Sequence, residues 1–176
     1  INQEFQKAAG AHSAALAASV GDSVPLDTER GYHVSFPPGS ESLLTRAVCD
    51  PSEGFIMTPM PGGLRAAGRV ELGGLRAPPT PGRCTGLANA ASSLFSHPLP
   101  ERAEQGDWLG FRPTLPDALP VIGRSPNVPA VVYAFGHHHI GWTLGGVTGK
   151  LVSEIVSGQD PSVDITPFRI ERFRVF

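Results

Sequence analysis

The residues with the clearest chemical potential form a short segment of glycines and histidines, Gly136-His137-His138-His139-Ile140-Gly141. A continuous apolar run from Val131 to Phe135 precedes the segment and predicts a strand that is buried on both faces. The residues that follow place apolar side chains at helical spacing, namely Leu144, Val147, Leu151, Val152 and Ile155. A strand, a glycine-containing turn and a helix in this order direct free N–H groups and the positive end of the helix dipole toward an anionic ligand. The sequence therefore predicts an anion-binding helix N-terminus.

Other interpretations of this region fit its residues less well. Gly145 to Lys150 superficially suggests a phosphate-binding loop, but Leu144 and Leu151 occupy the positions where that motif has glycine and Ser or Thr. The three consecutive histidines, His137 to His139, suggest a metal site, but consecutive residues cannot easily all converge on one ion, and the sequence has no HxxxH motif. We therefore assign no metal ligand, and a zinc-binding module remains an alternative. No serine lies in the GxSxG motif of a hydrolase.

The overall composition is typical of a globular protein with many turns. The 176 residues are 40% hydrophobic and 17% charged, and they include 21 glycines and 18 prolines. Such a share of glycine and proline predicts tight turns and short strands and argues against a helical bundle. A formal net charge of −2 lacks the basic excess typical of proteins that bind nucleic acid or anionic membranes.

Two features bear on the cell compartment. Cys49 and Cys84 form neither a CxxC pair nor a disulfide-rich pattern, so we expect free thiols in a reducing compartment. No apolar run approaches the ~20 residues of a membrane span, and no basic-then-apolar signal opens the sequence. We therefore predict a cytoplasmic protein.

Residues 1–7 are polar and run directly into an alanine-rich segment, which we interpret as a truncation scar or an altered strand.

The elements that must position the histidine segment begin with strands separated by short turns. Ala11 to Ser19 predicts a short helix, and alternation over Tyr32 to Phe36 predicts a strand. Leu43 to Val48 and Phe55 to Met60 are two more predicted strands. After a proline–glycine turn, several apolar residues share one face of a long strand: Leu64, Ala66, Gly68, Val70 and Leu72. Such a face needs cover, and the amphipathic segment Leu87 to Phe95 predicts the helix that provides it.

The residues from Trp108 onward predict a second group of elements. Trp108 to Pro113 predicts a strand that ends at a proline. The helix after the histidine segment is expected to end near Gly158, which suits a C-cap. Together these patterns predict an α+β fold, in which an antiparallel sheet with a covering helix precedes a further strand and helix.

Several short motifs, taken in order, resemble one family. The stretch from Trp108 to Gly123 contains Arg112-Pro113, Pro116-Asp117 and Pro120-Val121-Ile122-Gly123. It resembles the arginine–proline–x–x–proline–aspartate–x–x–proline–x–isoleucine–glycine signature of the D-amino-acid oxidase/dehydrogenase family of flavoproteins, which a Gly-His-x-His-x-Gly turn and a helix follow. Three further segments are similar to parts of that family: Ala9 to Ser13, Asp27 to Val34 and Gly68 to Leu72. The resemblance covers nearly the whole chain.

The resemblance implies an FAD-dependent enzyme and a division of the chain. Residues 1–24 would be a fragment of the FAD domain, 25–107 the antiparallel substrate-binding lobe, and 108–176 the C-terminal part of an incomplete FAD domain. The implied reaction oxidises D-amino acids, or related amines and imino acids, by hydride transfer to the flavin. Small amino acids are the implied substrates, and neither nucleic acid nor a membrane span is implied.

The resemblance also implies roles for individual residues. Arg112 would hold the substrate carboxylate, since a guanidinium forms two parallel hydrogen bonds with that group, and a structural pairing with Asp117 is the alternative. Tyr32 and His33 are implied substrate-pocket residues, although one of two neighbours in a strand faces the core. The residues implied to bind the flavin are Gly10, Ala11, Gly136, His137, His138, His139, Ile140, Gly141, Trp142, Thr143 and Leu144. An ordinary glycine-rich helix entry is the alternative for Gly141 to Leu144, and no catalytic acid or base is assigned.

Two departures from the family pattern affect the expected function. His138 stands where the family often has glycine. No GxGxxG motif occurs in the sequence, so we expect the family's N-terminal βαβ unit, which holds the adenosine and pyrophosphate, to be missing. Full FAD binding would then require that missing half, and the isolated chain would be inactive. The alternatives are a non-catalytic truncated relative, or one subunit of a split flavoenzyme whose partner chain carries the nucleotide-binding half.

Overall fold

The computed structural model describes residues 10–174 and divides the chain into two compact units. Unit 1 comprises Ile1–Glu29 and Arg112–Phe176, and unit 2 comprises Arg30–Phe111. Both divisions fall inside strands, a few residues from the boundaries expected after residues 24 and 107. The interpretation of residues 1–7 lies outside the described residues.

The described residues form three helices, seven strands and four short 3-10 turns. In chain order the helices and strands are α1 (Ser13–Ser19), β1 (Asp27–Ser35), β2 (Val48–Asp50), β3 (Phe55–Met60), β4 (Gly63–Glu71), α2 (Arg83–Ser92), β5 (Asp107–Thr114), β6 (Val121–Arg124), β7 (Val132–Phe135) and α3 (Gly141–Val156). The 3-10 turns are Gly10–His12, Ser40–Leu43, Thr166–Phe168 and Ile170–Phe173. Across residues 10–174 no helix combines the length and the apolar character that crossing a membrane requires.

Unit 2 is built on a five-stranded sheet with α2 packed against one face. The strand order is β2-β3-β4-β1-β5, and β2–β3, β3–β4 and β4–β1 pair antiparallel. Alternate strand residues face the helix because side chains on a strand point to opposite sides. The core contains Tyr32, Val34, Phe36, Phe55, Met57, Leu64, Ala66, Leu87, Ala88 and Ala91. The predicted antiparallel sheet with a covering helix is confirmed, although the helix begins and ends a few residues earlier than predicted.

A β-bulge in β4 changes which side chains that strand buries. Arg69 has φ +60°, and the register with β1 shifts there, so that Tyr32 pairs with Gly68 while Gly31 pairs with Val70. An extra residue in one strand reverses the faces beyond it. The prediction that Val70 and Leu72 share the buried face is therefore wrong, because these side chains are 47% and 82% exposed. The bulge instead brings Glu71 to the hydroxyl of Tyr32.

The predicted strand from Leu43 to Val48 is also wrong over most of its length. A 3-10 turn occupies Ser40–Leu43, and β2 begins only at Val48. Ser40 stabilises the turn, because its hydroxyl donates to Pro37 O at 2.6 Å and accepts from Leu64 N at 2.8 Å. These side-chain hydrogen bonds compete with strand pairing, which apolar spacing alone does not reveal.

Unit 1 contains α1, the antiparallel pair β6–β7, and α3. One core cluster joins α1 to the strand pair, and its buried members are Ala17, Leu115, Val121, Tyr133, Phe135 and Ile170. A second cluster joins α3 to β6, and its buried members are Ile122, Leu151 and Ile155. The helix predicted from Ala11 begins at Ser13, after a 3-10 turn. The predicted end of α3 is confirmed, since the helix ends at Val156 and Gly158 has φ +72°.

The burial of β7 differs from the prediction. Tyr133 and Phe135 are buried, whereas Ala134 between them is exposed. Side chains alternate between the two faces of a strand, so one face of β7 is covered and the other is exposed. The prediction of a strand buried on both faces is therefore wrong for this structure.

A buried polar cluster joins the segment after α1 to β7 and to the loop between β6 and β7. The carboxylate of Asp22 accepts hydrogen bonds from the Ser125 hydroxyl, from Tyr133 Oη at 2.7 Å and from Asn127 Nδ2 at 2.8 Å. Burial, together with the hydrogen bond to Asp22, raises the pKa of Tyr133 to about 12. Each oxygen of the buried carboxylate thus has a partner, as buried charges require.

Candidate functional site

The histidine segment folds into a turn that is held by the end of β5. Gly136 has φ +84°, and a Cβ there would lie 2.5 Å from Leu115 Cδ1. His138 has φ +50°, a left-handed conformation that favours glycine. The backbone N–H of His138 donates to Pro113 O at 3.2 Å, and the Leu115 N–H donates to His138 Nε2 at 3.2 Å. Two hydrogen bonds therefore fix the turn against residues 113–115.

His137 connects the same turn to α3. Its Nε2 lies 3.0 Å from Thr148 Oγ1, and Thr148 is buried in the middle of the helix. Burial lowers the pKa of His137, which favours the neutral imidazole. The predicted apolar stripe of α3 placed Val147 against the core, but the structure buries Thr148 and leaves Val147 exposed. His137 is therefore a neutral positioning residue in this turn.

His139 contacts a residue of β1. Its Nε2 lies 3.1 Å from Glu29 Oε2, and both residues belong to unit 1. His139 is partly exposed and Glu29 is half-buried. The three consecutive histidines therefore contact three different elements of the unit: the end of β5, the helix α3 and the first residues of β1.

No side chain within residues 10–174 caps the N-terminus of α3. Ile140 is the N-cap residue, it makes no side-chain hydrogen bond, and the first turn contains no acidic residue. Trp142 is 99% exposed, and Thr143 is also exposed. A Cβ added at Gly145, Gly146 or Gly149 would meet no atom within 4 Å. Uncapped N–H groups at an accessible helix start carry a partial positive charge that suits an anionic group.

Arg112 lies in β5, directly before the proline that holds the turn. The residue is half-buried, and its Nη1 is buried without a hydrogen-bond partner among residues 10–174. The alternative pairing with Asp117 is not formed, because Arg172 occupies that carboxylate with Nε at 2.7 Å and Nη2 at 3.4 Å. Burial opposes the charge of Asp117, but hydrogen bonds from Arg172 and Leu119 outweigh it and lower the pKa of Asp117. The guanidinium of Arg112 thus has an unused donor, which suits a carboxylate.

Tyr32 and His33 belong to unit 2 and point to opposite faces of its sheet. Tyr32 is 2% exposed, and its hydroxyl donates to Glu71 Oε2 at 2.7 Å and accepts from Thr80 N at 3.1 Å. It is therefore the member of the pair that faces the core. His33 is only partly buried and stacks on Trp108, with 4.8 Å between ring centroids. Contact of either side chain with a substrate stays a prediction.

The stack of His33 on Trp108 depends on a glycine in the same strand. A Cβ at Gly110 would lie 1.8 Å from the ring of Trp108, so the bare backbone makes room for the indole. Burial lowers the pKa of His33, and the nearby positive charge of Arg65 lowers it further. An aromatic pair with a neutral imidazole therefore lies on the sheet face opposite the core.

Gly10 and Ala11 lie at the start of the described chain, in the 3-10 turn before α1. Gly10 has φ +65°, and a Cβ there would meet no atom of residues 10–174 within 4 Å, while Ala11 is buried. Residues 10–174 thus leave open space beside Gly10. The structure brings residues 136–144 together with Pro113 and Leu115 in unit 1, and it leaves Tyr32 and His33 in the other unit.

The partners that hold the turn are not evident in the sequence. Thr148 gives a weak signal, because it is a polar residue at core spacing within an amphipathic helix. Glu29, Leu115 and Arg172 give no signal, because their contacts depend on chain segments far apart in sequence.

The chain is similar to a known protein family and to several of its members. A sequence profile described as FAD dependent oxidoreductase matches residues 7–155. The D-amino-acid oxidase of Bradyrhizobium diazoefficiens is 40% identical over 169 residues, which cover 94% of this chain and 40% of that protein. The D-amino acid dehydrogenase of Cereibacter sphaeroides is 29% identical over 167 residues, which cover 94% of this chain and 38% of that protein.

A solved structure extends the likeness to the fold. Glycine oxidase from Geobacillus kaustophilus superposes with a TM-score of 0.78 at 26% identity, over 94% of this chain and 44% of the other. This chain therefore spans about two fifths of the length of the curated relatives and somewhat more of the solved structure.

Proposed function

Because the chain belongs to the family of FAD-dependent oxidoreductases, we propose that it contributes the substrate-carboxylate and flavin-edge residues of an enzyme that oxidises D-amino acids or related imino acids. The names of two relatives, a D-amino-acid oxidase and a D-amino acid dehydrogenase, support this substrate class. The chain covers only about two fifths of those relatives, so the activity of the whole enzyme is part of the proposal.

The observation that carries the proposal is the unused donor of Arg112. A buried guanidinium N–H without an acceptor is unfavourable, since it has lost its water and gained no protein partner. A substrate carboxylate would supply the missing acceptor through a bidentate pair. Asp117 cannot do so, because Arg172 already holds it. Arg112 would therefore orient an amino acid by its carboxylate.

The residues from Gly136 to Leu144 fit the reactive edge of a flavin. When bound, FAD supplies the hydride acceptor for oxidation at the substrate α-carbon. The uncapped N–H groups of α3 and its positive dipole end would stabilise negative charge on the adjacent ring edge. His137, held by Thr148, keeps the turn and the helix start in a fixed relation. We also propose that Gly10 and Ala11 contact the dinucleotide backbone, since the space beside Gly10 is open.

Of the two substrate-pocket residues implied in unit 2, His33 is better placed than Tyr32. The Tyr32 hydroxyl is engaged by Glu71 and Thr80, whereas His33 lies on the face of the sheet opposite the core. The aromatic pair of His33 and Trp108 would contact the substrate side chain. We also propose a cytoplasmic location, which two free cysteines support.

The test is FAD-dependent dye reduction by the purified chain with a panel of D- and L-amino acids. One arm uses the chain alone, and the other adds the N-terminal part of the Bradyrhizobium diazoefficiens relative that this chain does not cover. We expect yellow protein and reduction of the dye by D-amino acids in the second arm. Activity in the first arm would support an independent enzyme. A colourless protein without dye reduction in both arms would support the non-catalytic alternative instead.

The role of Arg112 needs its own variants. In whichever arm is active, Arg112→Met is expected to lower kcat/KM by at least about 100-fold, because the guanidinium orients the bound substrate by its carboxylate. Arg112→Lys should retain part of the activity, since it keeps the charge but loses the planar fork. Arg46→Met removes an exposed arginine and serves as the matched control. Equal kcat/KM in Arg112→Met and Arg46→Met would contradict the proposed role.

A further inference from the structure

We propose that Glu29, His138 and His139 form a binding site for a divalent transition-metal ion in unit 1. One carboxylate oxygen and one ring nitrogen from each histidine all lie within 4.8 Å of one another. His139 Nε2 and Glu29 Oε2 are already 3.1 Å apart. His138 and His139 also belong to the segment proposed to contact the flavin, so the proposal concerns metal binding by the chain without FAD, and its failure would leave the proposed flavin function untouched.

The backbone explains how two consecutive histidines reach one point. Side chains of neighbouring residues in extended chain point in opposite directions. The left-handed conformation of His138, at φ +50°, breaks that alternation and leaves the two rings 6.3 Å apart with a 36° tilt. His137 takes no part, since its ring contacts Thr148. The third ligand comes from Glu29, a residue that the sequence gives no reason to place beside the histidines.

The ligand types select the class of ion. Two imidazoles and one carboxylate favour Zn²⁺, Cu²⁺ or Ni²⁺ over Ca²⁺ and Mg²⁺, which prefer oxygen ligands. Bonds of about 2.0–2.1 Å require ligand atoms roughly 3.4 Å apart around a tetrahedral ion. The Glu29–His139 pair already meets that spacing. His139 is 52% exposed, so its side chain is free to adjust and water has access to the remaining coordination position.

Metal binding would compete with a hydrogen bond that the structure contains. A neutral imidazole has one nitrogen lone pair, and in His138 the Leu115 N–H uses it at 3.2 Å. Coordination at either ring nitrogen takes that lone pair, so the Leu115 N–H must be released. The amide of Leu115 is therefore an internal reporter of metal binding at His138.

The experiment is a Zn²⁺ titration of the 176-residue chain by calorimetry, together with Cu²⁺ electron paramagnetic resonance. Cys49 is replaced by Ser in every variant, so that its exposed thiol contributes nothing. The test variants are His138→Gly, His139→Ala and Glu29→Gln, and His97→Ala is the control because it removes an exposed histidine of unit 2. Glycine suits φ +50°, so His138→Gly should fold at least as well as the parent protein.

We expect one Zn²⁺ per chain, a Cu²⁺ spectrum split by two imidazole nitrogens, and faster hydrogen exchange of the Leu115 amide with metal bound. Each test variant should weaken Zn²⁺ binding by about tenfold or more, while His97→Ala leaves it unchanged. The proposal is overturned if the parent chain binds no Zn²⁺, if binding survives two of the three test substitutions, or if Leu115 exchange does not respond. In any of those cases Glu29 and His139 form only a polar contact between their side chains.

Discussion

Two arginines show how differently the two units treat buried charge. In unit 2, Arg30 donates to Ala77 O at 2.9 Å and to Pro78 O at 2.8 Å, and its Nε lies 3.0 Å from Glu71 Oε2. In unit 1, Arg112 has a buried Nη1 with no acceptor among residues 10–174. Each guanidinium has one buried nitrogen without a hydrogen bond, but Nε of Arg30 lies 3.0 Å from the Glu71 carboxylate, whereas Nη1 of Arg112 has no ion-pair partner among residues 10–174.

The difference separates a structural charge from one that awaits a ligand. Arg30 belongs to a closed cluster, in which Glu71 also accepts from the hydroxyls of Tyr32 and Thr80. Such a cluster is strongly destabilised when one member is removed. An unsatisfied buried donor has the opposite property, since its removal eliminates an unfavourable desolvation. The same residue type therefore predicts opposite responses to mutation in the two units.

The largest expected effect is on Arg30. Arg30→Met should lower the free energy of unfolding by about 3 kcal/mol, because it removes the hydrogen bonds to Ala77 and Pro78 and one cation beside Glu71. Urea unfolding followed by circular dichroism measures the change, with Arg46→Met as the exposed control. A loss no greater than that of the control would mean that the cluster does not stabilise unit 2.

A smaller loss is expected in the closed cluster of unit 1. Tyr133→Phe removes one donor to Asp22 and leaves the Ser125 and Asn127 hydrogen bonds in place. The expected decrease is about 1–2 kcal/mol, because one hydrogen bond is lost while two other donors to the same carboxylate remain. Unfolding followed by Trp fluorescence would report it, and Tyr133→Phe in an Asp22→Asn background should then have a clearly reduced effect. Additive effects of the two substitutions would show that the residues act independently.

For Arg112 we expect almost no loss of stability. Arg112→Met should change the free energy of unfolding by no more than about 0.5 kcal/mol, or increase it, because the unpaired donor disappears. The contrast between Arg30→Met and Arg112→Met in one urea series is the sharpest test of the comparison. A loss of similar size in both variants would indicate that Arg112 is a structural residue.

The smallest expected effect is a pH dependence shared by the two units. Burial lowers the pKa of His33 and of His137 below the ordinary value of 6.5. The unfolded chain therefore takes up protons first as the pH falls, and the free energy of unfolding should decrease between about pH 7 and about pH 5.5. His33→Asn and His137→Asn should each flatten that slope in urea unfolding, whereas His97→Asn should not. An unchanged slope in both variants would contradict neutral, buried imidazoles.

The spacing of apolar residues predicted those elements in which the same spacing continues from one end to the other. The strands β3 and β5 and the helix α3 with its glycine cap lie close to their predicted bounds. The predictions failed where a local feature interrupts the pattern. The bulge at Arg69 reverses the faces of β4, and the Ser40 hydroxyl favours a turn over a strand.

The candidate site was predictable only in its local parts. The glycine–histidine turn and the start of α3 are contiguous in sequence, so their pattern is visible. The contacts that give each histidine its environment join residues such as Glu29 and His139, whose separation exceeds a hundred positions. Composition at one position carries no information about such a partner. The lack of a hydrogen-bond partner for Arg112 Nη1 is likewise a property of the fold, since Arg172 rather than Arg112 pairs with Asp117.

The indole of Trp108 and the bare backbone of Gly110 impose an order on how this strand can change. With the indole in this position, any side chain at position 110 collides with the ring, so the ring must move and lose its stack on His33. If a small residue first replaces Trp108, that cost disappears. The two sites are therefore expected to be epistatic, and a substitution at 110 should cost more when Trp108 is present.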